Sequence, residues 1–420
     1  MTALPAIAAI NAHSKPVILA IFAVTYLGIA MGRVPGLKLN RVGIVLLGAI
    51  AMMIFAGATT DEVISYINWP TVFLLFGFFV ISAQLRLSGF YDRIANGISA
   101  RLGHPARFLL VLMAVTGGLS AFLNNEVVCL VFTPIVGAAL LRKQMNPVPF
   151  LIAVAIASNI GAAATLIGNA QDMLIGAVAH LAFGPYMLWS CVPVVFALSA
   201  AYGIIWMLSR GTLRSALPVK SESAAPAYPF NRVHTIKGLV ILVAVIGLFF
   251  TPLPREIIAL AAAAVHLASP KFRTNQLLGL VEWPILVLFM GLFVVTGAFQ
   301  ATGYGDQAVR WLARGGFSLD VPHNLALATA ALSNLINNSA AVMLLLKVVN
   351  LSQPVTAYVL ALANSFGGNL IIVGSVSNII VVQQARELGI RISFRDFARL
   401  GLPVTLVALA GLIGWAALMA

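Results

Sequence analysis

Two stretches of this sequence place side chains that could do chemistry where few polar groups are expected. LSAFLNNEVVCL, Leu119 to Leu130, and LSNLINNSAAVM, Leu332 to Met343, each set an Asn-Asn pair among otherwise apolar residues: Asn124-Asn125 and Asn337-Asn338. Adjacent carboxamides in an apolar medium are costly unless their donors and acceptors are used. They could cap helices inside a bundle. Their recurrence at matching places favours a binding site for a polar solute. Each pair is followed by a glycine-rich run, SNIGAAATLIGNAQD (Ser158 to Asp172) and NSFGGNLIIVGSVSN (Asn364 to Asn378). Glycines let a helix break, and the freed amides and carbonyls, with half-helix N-termini, become ligands. Candidate solute ligands are Asn124, Asn125, Ser120, Asn159, Thr165 and Gly161, with Asn337, Asn338, Ser333, Gly367, Gly368, Asn369 and Ser375. Ser158, Asn169, Asn334, Asn364, Ser365 and Ser377 are further neutral candidates, any of which could simply brace helices.

Acidic residues are few. Asp61, Glu62, Asp92, Glu222, Glu256, Glu282, Asp306, Asp320, Glu387 and Asp396 fall in expected loops or span ends. Glu126 and Asp172 alone fall at membrane depth, where a carboxylate suggests a proton relay or cation site, or else a helix-capping acid. The second half has Ser339 and Asn378 at these places, so the coupling chemistry is expected to be asymmetric.

The elements that position these groups are membrane spans. The chain is 61% hydrophobic and 9% charged, with continuous apolar runs from end to end, which excludes a soluble globule and a transmembrane barrel. The N-terminus lacks the features of a removable signal peptide. The net charge of +13 sits in short loops, where it sets orientation and does not point to nucleic acid. Cys129 and Cys191, the two cysteines, read as buried small hydrophobes; no disulfide framework, metal site or cofactor is expected.

Spans are expected near 16–35, 41–59 and 70–88, followed by an amphipathic helix at Tyr91–Leu102. A paired segment at 106–141 carries the first Asn pair, an interrupted span covers 148–180, and a full span covers 186–209. Residues 210–236 form the longest polar stretch, a linker. The second half repeats the plan, with spans near 238–253, 255–268 and 283–300, a paired segment at 323–350, an interrupted span at 355–384 and a last span at 401–418. Asn68-Trp69-Pro70, Gly77 and Gly89 match Glu282-Trp283-Pro284, Gly291 and Gly303 at an offset of 214. The Asn pairs match at 213, and Gly161 and Gly168 match Gly367 and Gly374 at 206. The fold class expected is an all-α polytopic membrane protein of two inverted repeats, 1–209 and 237–420, each of about five transmembrane helices plus a re-entrant hairpin and a broken helix.

Basic loops (Arg33 to Arg41, Arg86 to Arg107, Arg142-Lys143, Arg210 to Lys237, Lys271 with Arg273, Arg386 to Arg399) place the linker in the cytoplasm and both termini outside. The paired segments could be two complete spans or a re-entrant hairpin. The absence of a Gly/Pro-rich polar loop at the Asn pairs favours the hairpin, with its tip lining an enclosed cavity and Asn125 and Asn338 capping the second helices. Tyr91-Asp92 and Gly303-Tyr304-Gly305-Asp306 look like the motifs of intramembrane aspartyl proteases, but inverted repeats put these aspartates on opposite faces. Paired hairpins and broken helices favour alternating access over a channel.

The Asn-tipped hairpin, the SNIG-x-x-x-TLIG break and their second-half counterparts resemble the ion transporter superfamily over nearly the whole chain. LNNEVVCLVFTPIV, Leu123 to Val136, is most similar to the arsenite permease branch. In many relatives an Asp follows the first hairpin Asn, where this chain has Asn125 and then Glu126. The resemblance implies a bacterial inner-membrane secondary transporter, not an enzyme, exporting arsenite or antimonite in exchange for protons. A sodium-coupled anion carrier or a sodium/proton antiporter is the alternative. Implied partners are the lipid bilayer, the inorganic solute, a proton or sodium ion, and a cytoplasmic ATPase subunit as a candidate.

Overall fold

The computed structural model describes residues 15–31, 39–55, 59–100, 104–213, 228–269 and 271–419. The first half runs α1 (Lys15–Met31), α2 (Arg41–Phe55), α3 (Thr60–Tyr66), α4 (Trp69–Leu87), α5 (Phe90–Ser99), α6 (Pro105–Phe122), α7 (Asn125–Arg142), α8 (Val148–Ala162), α9 (Ala170–Val178) and α10 (Phe183–Ser209). The second runs α11 (Arg232–Leu248), α12 (Arg255–Leu267), α13 (Thr274–Leu278), α14 (Trp283–Ala301), α15 (Tyr304–Arg314), α16 (Pro322–Ile336), α17 (Asn338–Leu345), α18 (Pro354–Gly367), α19 (Val376–Glu387) and α20 (Phe394–Met419). Among the described residues there is no strand, and six helices are long and apolar enough to cross a membrane.

Local chemistry explains where these helices begin. Asn68 Oδ1 accepts the Thr71 N–H at 3.0 Å ahead of α4, whose first turn holds Pro70. Pro284 stands at the same place in α14, and Pro105, Pro322 and Pro354 open α6, α16 and α18. Proline tolerates that position because the first-turn N–H has no intrahelical acceptor anyway. Gly89 and Gly303, at φ 70° and 76°, turn the chain from α4 into α5 and from α14 into α15, a left-handed conformation that favours glycine.

The ten helices of one half answer to the ten of the other, and the packing repeats with them. A Cβ on Gly77 would lie 2.7 Å from Ala259, where α4 meets α12. A Cβ on Gly291 would lie 2.8 Å from Val45, where α14 meets α2. Residues 45 and 259 share the 214-residue offset of the two glycines, so each half packs its α2-type helix on the other half's α4-type helix. Within each half, α6 lies against α8 and α16 against α18 at Gly161–Gly117 and Gly367–Ala330, again equivalent pairs. At the centre the halves interlock, with α7 on α19 and α17 on α9. The protein is an all-α polytopic membrane protein with the inverted-repeat plan.

Several boundaries differ from expectation. The amphipathic helix is Phe90–Ser99, and the last span begins at Phe394, so Arg395 and Arg399 lie in α20 instead of a loop. The short helices α3 and α13 are too brief to show a helical period, whereas α15, the counterpart of α5, is strongly amphipathic and was legible but not expected. Asp92 was expected in a loop or at a span end but is buried in α5, because the amphipathic helix turns that face onto α7. Cys129 is buried, whereas Cys191 is exposed on the outer face of α10. Of the expected linker, 214–227 lies outside the described residues, as do Arg33, Lys38, Arg101, Lys220 and Glu222; its last residues already belong to α11.

Candidate functional site

Each Asn pair forms the tip between the two helices of a hairpin, and both tips are buried under protein. Asn124 Oδ1 accepts the N–H groups of Glu126 at 2.8 Å and Val127 at 3.2 Å. Asn337 Oδ1 accepts the Ser339 N–H at 3.1 Å. The helix caps are therefore Asn124 and Asn337, not the expected Asn125 and Asn338. A capping side chain must sit on a non-helical backbone just ahead of the first turn, and Asn125 and Asn338 are already helical.

Released from capping, Asn125 ties its tip to the first helix break. Its N–H donates to Gly168 O at 3.1 Å, its Nδ2 donates to Asn159 Oδ1 at 3.3 Å, and its carbonyl accepts Ser158 Oγ at 3.0 Å. Asn159 is the hub of the arrangement. Its Nδ2 donates to Asn369 Oδ1 and to Asn378 Oδ1, both at 2.9 Å, and its Oδ1 also accepts Ser375 Oγ at 3.0 Å. One carboxamide of α8 thus joins the first tip, the second break and α19 across the repeat boundary. Asn378 passes the link onward, donating to Gly368 O at 2.7 Å and Ile371 O at 3.1 Å.

The breaks span residues 163–169, between α8 and α9, and 368–375, which include a short 3-10 turn, between α18 and α19. Asn169 caps α9, accepting the Asp172 N–H at 2.7 Å while its Nδ2 donates to Asp172 Oδ2 at 2.6 Å and to Ser365 Oγ at 3.2 Å. Gln171 Nε2 donates to Ser339 Oγ at 2.7 Å, a second bridge between the repeats. Sequence reading missed Gln171. A glutamine directly before an intramembrane aspartate was the available signal.

The other expected site residues divide by what they touch. Ser120 donates to Ser158 Oγ at 3.1 Å, Ser333 to Asn364 Oδ1 at 2.9 Å, and Thr165 to the Ala121 carbonyl, so these hydroxyls brace hairpin against helix. Gly161 and Gly367 bring helices together: a Cβ there would stand 2.2 Å from Gly117 O and 2.6 Å from Ala330 Cα. Gly368 faces the second tip, with a Cβ position 2.9 Å from Asn338 Nδ2. Asn369 and Ser375 sit at the junction through Asn159.

Several buried atoms around this junction have no hydrogen-bond partner. They are Glu126 Oε2, Asp172 Oδ1, Asn337 Nδ2, Asn338 Oδ1, Asn334 Oδ1, Asn364 Nδ2 and Ser377 Oγ. Such groups are rare in native proteins and invite a ligand, ion or water. Both carboxylates are buried, Asp172 completely. No Lys or Arg is buried among the described residues. The junction itself therefore offers carboxamides, hydroxyls and two acids, while the cations Lys347 and Arg86 line the cavities beside it. A cavity of about 190 Å³ between α9 and α17, lined by Ser65, Asn68, Leu174, Met343 and Lys347, approaches it from one side, and a second lies between α7 and α19; the Asn pairs line neither.

A family model described as citrate transporter matches residues 17–362. An uncharacterized transporter of Mycobacterium tuberculosis is 31% identical over 93% of this chain and 95% of its own length. A 46 kDa membrane protein of Mycobacterium leprae is 29% identical over 94% of this chain and 97% of that protein. A magnetosome protein, MamN, of Magnetospirillum gryphiswaldense is 29% identical over 64% of each chain. Among solved structures, the YdaH transporter of Alcanivorax borkumensis, described as having an unusual topology, aligns over 97% of both chains with a TM-score of 0.58 at 14% identity, a likeness of fold. With its family model covering most of the chain, the protein belongs to the citrate transporter family of membrane transporters.

Proposed function

We propose that this transporter is a secondary active carrier working by alternating access at the carboxamide junction, with Glu126 and Asp172 carrying the coupling cation. The cargo is a small, oxygen-rich, uncharged solute, arsenite or antimonite, exported in exchange for protons. The observation that carries this reading is the ligand set: unpartnered carboxamide and hydroxyl atoms beside two buried acids, with no buried Lys or Arg among the described residues. Near neutral pH arsenite is mainly the uncharged trihydroxide, which such donors and acceptors hold without a counter-charge. Thiolate capture has no basis, since it takes three thiolates and the chain has two cysteines, Cys129 buried and Cys191 exposed on α10. The linker is cytoplasmic and the termini outside on the loop-charge rule, and the basic cytoplasmic loops are where an ATPase subunit would dock.

A second reading is favoured by the family match. A carboxylate such as citrate would be carried together with cations that offset Glu126 and Asp172, and sodium is then the natural co-ion. Everted membrane vesicles separate the two. Arsenite accumulation that collapses with a protonophore and ignores sodium supports the first reading. No arsenite flux, with sodium-dependent citrate movement, replaces it with the second. In either case a Glu126→Gln, Asp172→Asn double variant that still transports against a gradient at wild-type rate removes the coupling role of these acids.

A further inference from the structure

The corner between α4 and α5 encloses polar groups that the junction does not use. A cavity of about 220 Å³ opens there, lined by Arg86, Asp92, Tyr228, Gln384 and Glu387 and floored by α7 at Leu130 and Pro134. Asp92 is 6% exposed, and its Oδ2 has no hydrogen-bond partner. The Tyr228 N–H, from the chain returning to α11, faces the same carboxylate. Arg86 Nε is likewise buried without a partner, and its guanidinium carbon lies 6.0 Å from the Tyr228 ring centre. Arg93, the neighbouring base on α5, is occupied over the Phe230 ring at 4.6 Å. Asp92, Glu387 and Arg86 therefore line the cavity; Arg93 keeps its charge on the other side of Asp92, and Arg86 also faces Glu282 at the start of α14.

We propose that this cavity binds one monovalent cation, sodium or a proton, as the antechamber from which the coupling ion reaches Glu126. The cavity's single buried carboxylate oxygen without a partner, Asp92 Oδ2, sets the stoichiometry at one cation or proton. A buried carboxylate oxygen without a partner is costly until a cation or proton reaches it. Asp92 Oδ2, Glu387, the Gln384 carbonyl and the Tyr228 phenol are oxygen ligands of the hard type that suits an alkali ion. The position on α7 supplies the route: Leu130 lies four residues beyond Glu126, hence one turn along the same face. The repeat counterpart differs. Asp306, at the place of Asp92, accepts Gln300 Nε2 at 3.3 Å, and Lys347 stands where Pro134 is. The site belongs to one face only. Its role as an antechamber rests on the coupling function proposed for Glu126, while its binding does not.

The test uses the purified full chain in detergent, with two arms. The sodium arm measures radioactive sodium binding by scintillation proximity. The proton arm counts protons taken up between about pH 8 and about pH 6, a range in which an ordinary aspartate stays ionised, with sodium replaced by a large organic cation. Asp92→Asn is expected to weaken sodium binding at least tenfold, or to remove one proton from the count. Glu387→Gln, which leaves the Tyr228 contact intact, is expected to weaken the same signal, and Asp306→Asn to leave it unchanged. If Asp92→Asn equals wild type in both arms, the proposal is overturned. Comparing Glu126→Gln with Glu126→Gln, Asp92→Asn keeps the readings apart. A difference between them that persists while Glu126→Gln still shows wild-type coupling leaves the cavity site standing and removes the coupling role.

Discussion

Replacing Asn159 by alanine is the sharpest perturbation of the junction. The wild-type carboxamide makes four buried hydrogen bonds, to Asn125, Asn369, Asn378 and Ser375. At about 1 kcal/mol net for each, their loss costs about 4 kcal/mol. With an unfolding entropy of about 2.1 cal/mol/K per residue over 420 residues, that is a melting-point drop of roughly 5 °C. Asn338→Ala is the matched control, because it removes a carboxamide whose Oδ1 is buried and unpartnered. Its melting point is expected to stay within about 1 °C of wild type or to rise, while transport falls at least tenfold. Asn159→Asp completes the series. It keeps acceptors for Asn125 and Ser375 but, when ionised, offers no donor to Asn369 or Asn378, so most of the destabilisation is expected to persist. Thermal unfolding of the purified variants in one detergent, with vesicle transport alongside, reads all three. An Asn159→Ala protein that melts with wild type, or an Asn338→Ala protein that melts as low as Asn159→Ala, would refute this division between hub and ligand.

Three further outcomes are expected. Gly161→Ala drives a methyl against the Gly117 carbonyl and should abolish recovery of folded protein, whereas Gly118→Ala, with nothing within 4 Å, should be neutral or stabilising by up to about 1 kcal/mol; size-exclusion profiles decide between them. The Gln171–Ser339 bridge should give a coupling energy of about 1 kcal/mol in a cycle of Gln171→Leu and Ser339→Ala by thermal unfolding, and zero coupling would mean it does not tie the repeats. Burial raises the carboxyl of Glu282, at the start of α14, above its ordinary value, with Arg86 partly opposing. The folded state then favours the protonated acid, so its contribution is fully present below the ordinary carboxylate pKa and is lost as pH rises through the raised one. Glu282→Gln should flatten that loss in melting curves taken across the acid-to-neutral range; an unchanged slope would assign the loss to other groups.

The duplication was legible because its markers are punctuation. Trp-Pro starts, a glycine turn and paired asparagines survive divergence, and in the structure two helices meet at each Asn pair and a helix is interrupted at each glycine-rich run. The division of labour inside the site was not legible. Asn124 and Asn125 are chemically identical, and only backbone geometry decides which one caps and which one reaches Asn159. Asn159 read as a ligand because a lone buried carboxamide looks the same whether its partners are solute or protein; three of its four protein partners lie 210 to 219 residues away and became visible only when the halves met. Asp92 was missed because an acid on an amphipathic helix is normally solvated, and only tertiary packing shows that this helix turns its acid inward.

The two tips differ in a way that matters for movement. Asn124 holds its cap at φ −56°, an ordinary angle. Asn337 does so at φ 81°, ψ 152°, a conformation that costs a non-glycine residue about 1–3 kcal/mol and is held only by its surroundings. Strain of that size corresponds to a population ratio of roughly 5- to 150-fold. The second hairpin is therefore a loaded spring set beside a relaxed latch. Any rearrangement that frees its tip releases the energy and returning it costs the same amount, so the duplicated halves, alike in outline, do not share the work of a transport cycle equally.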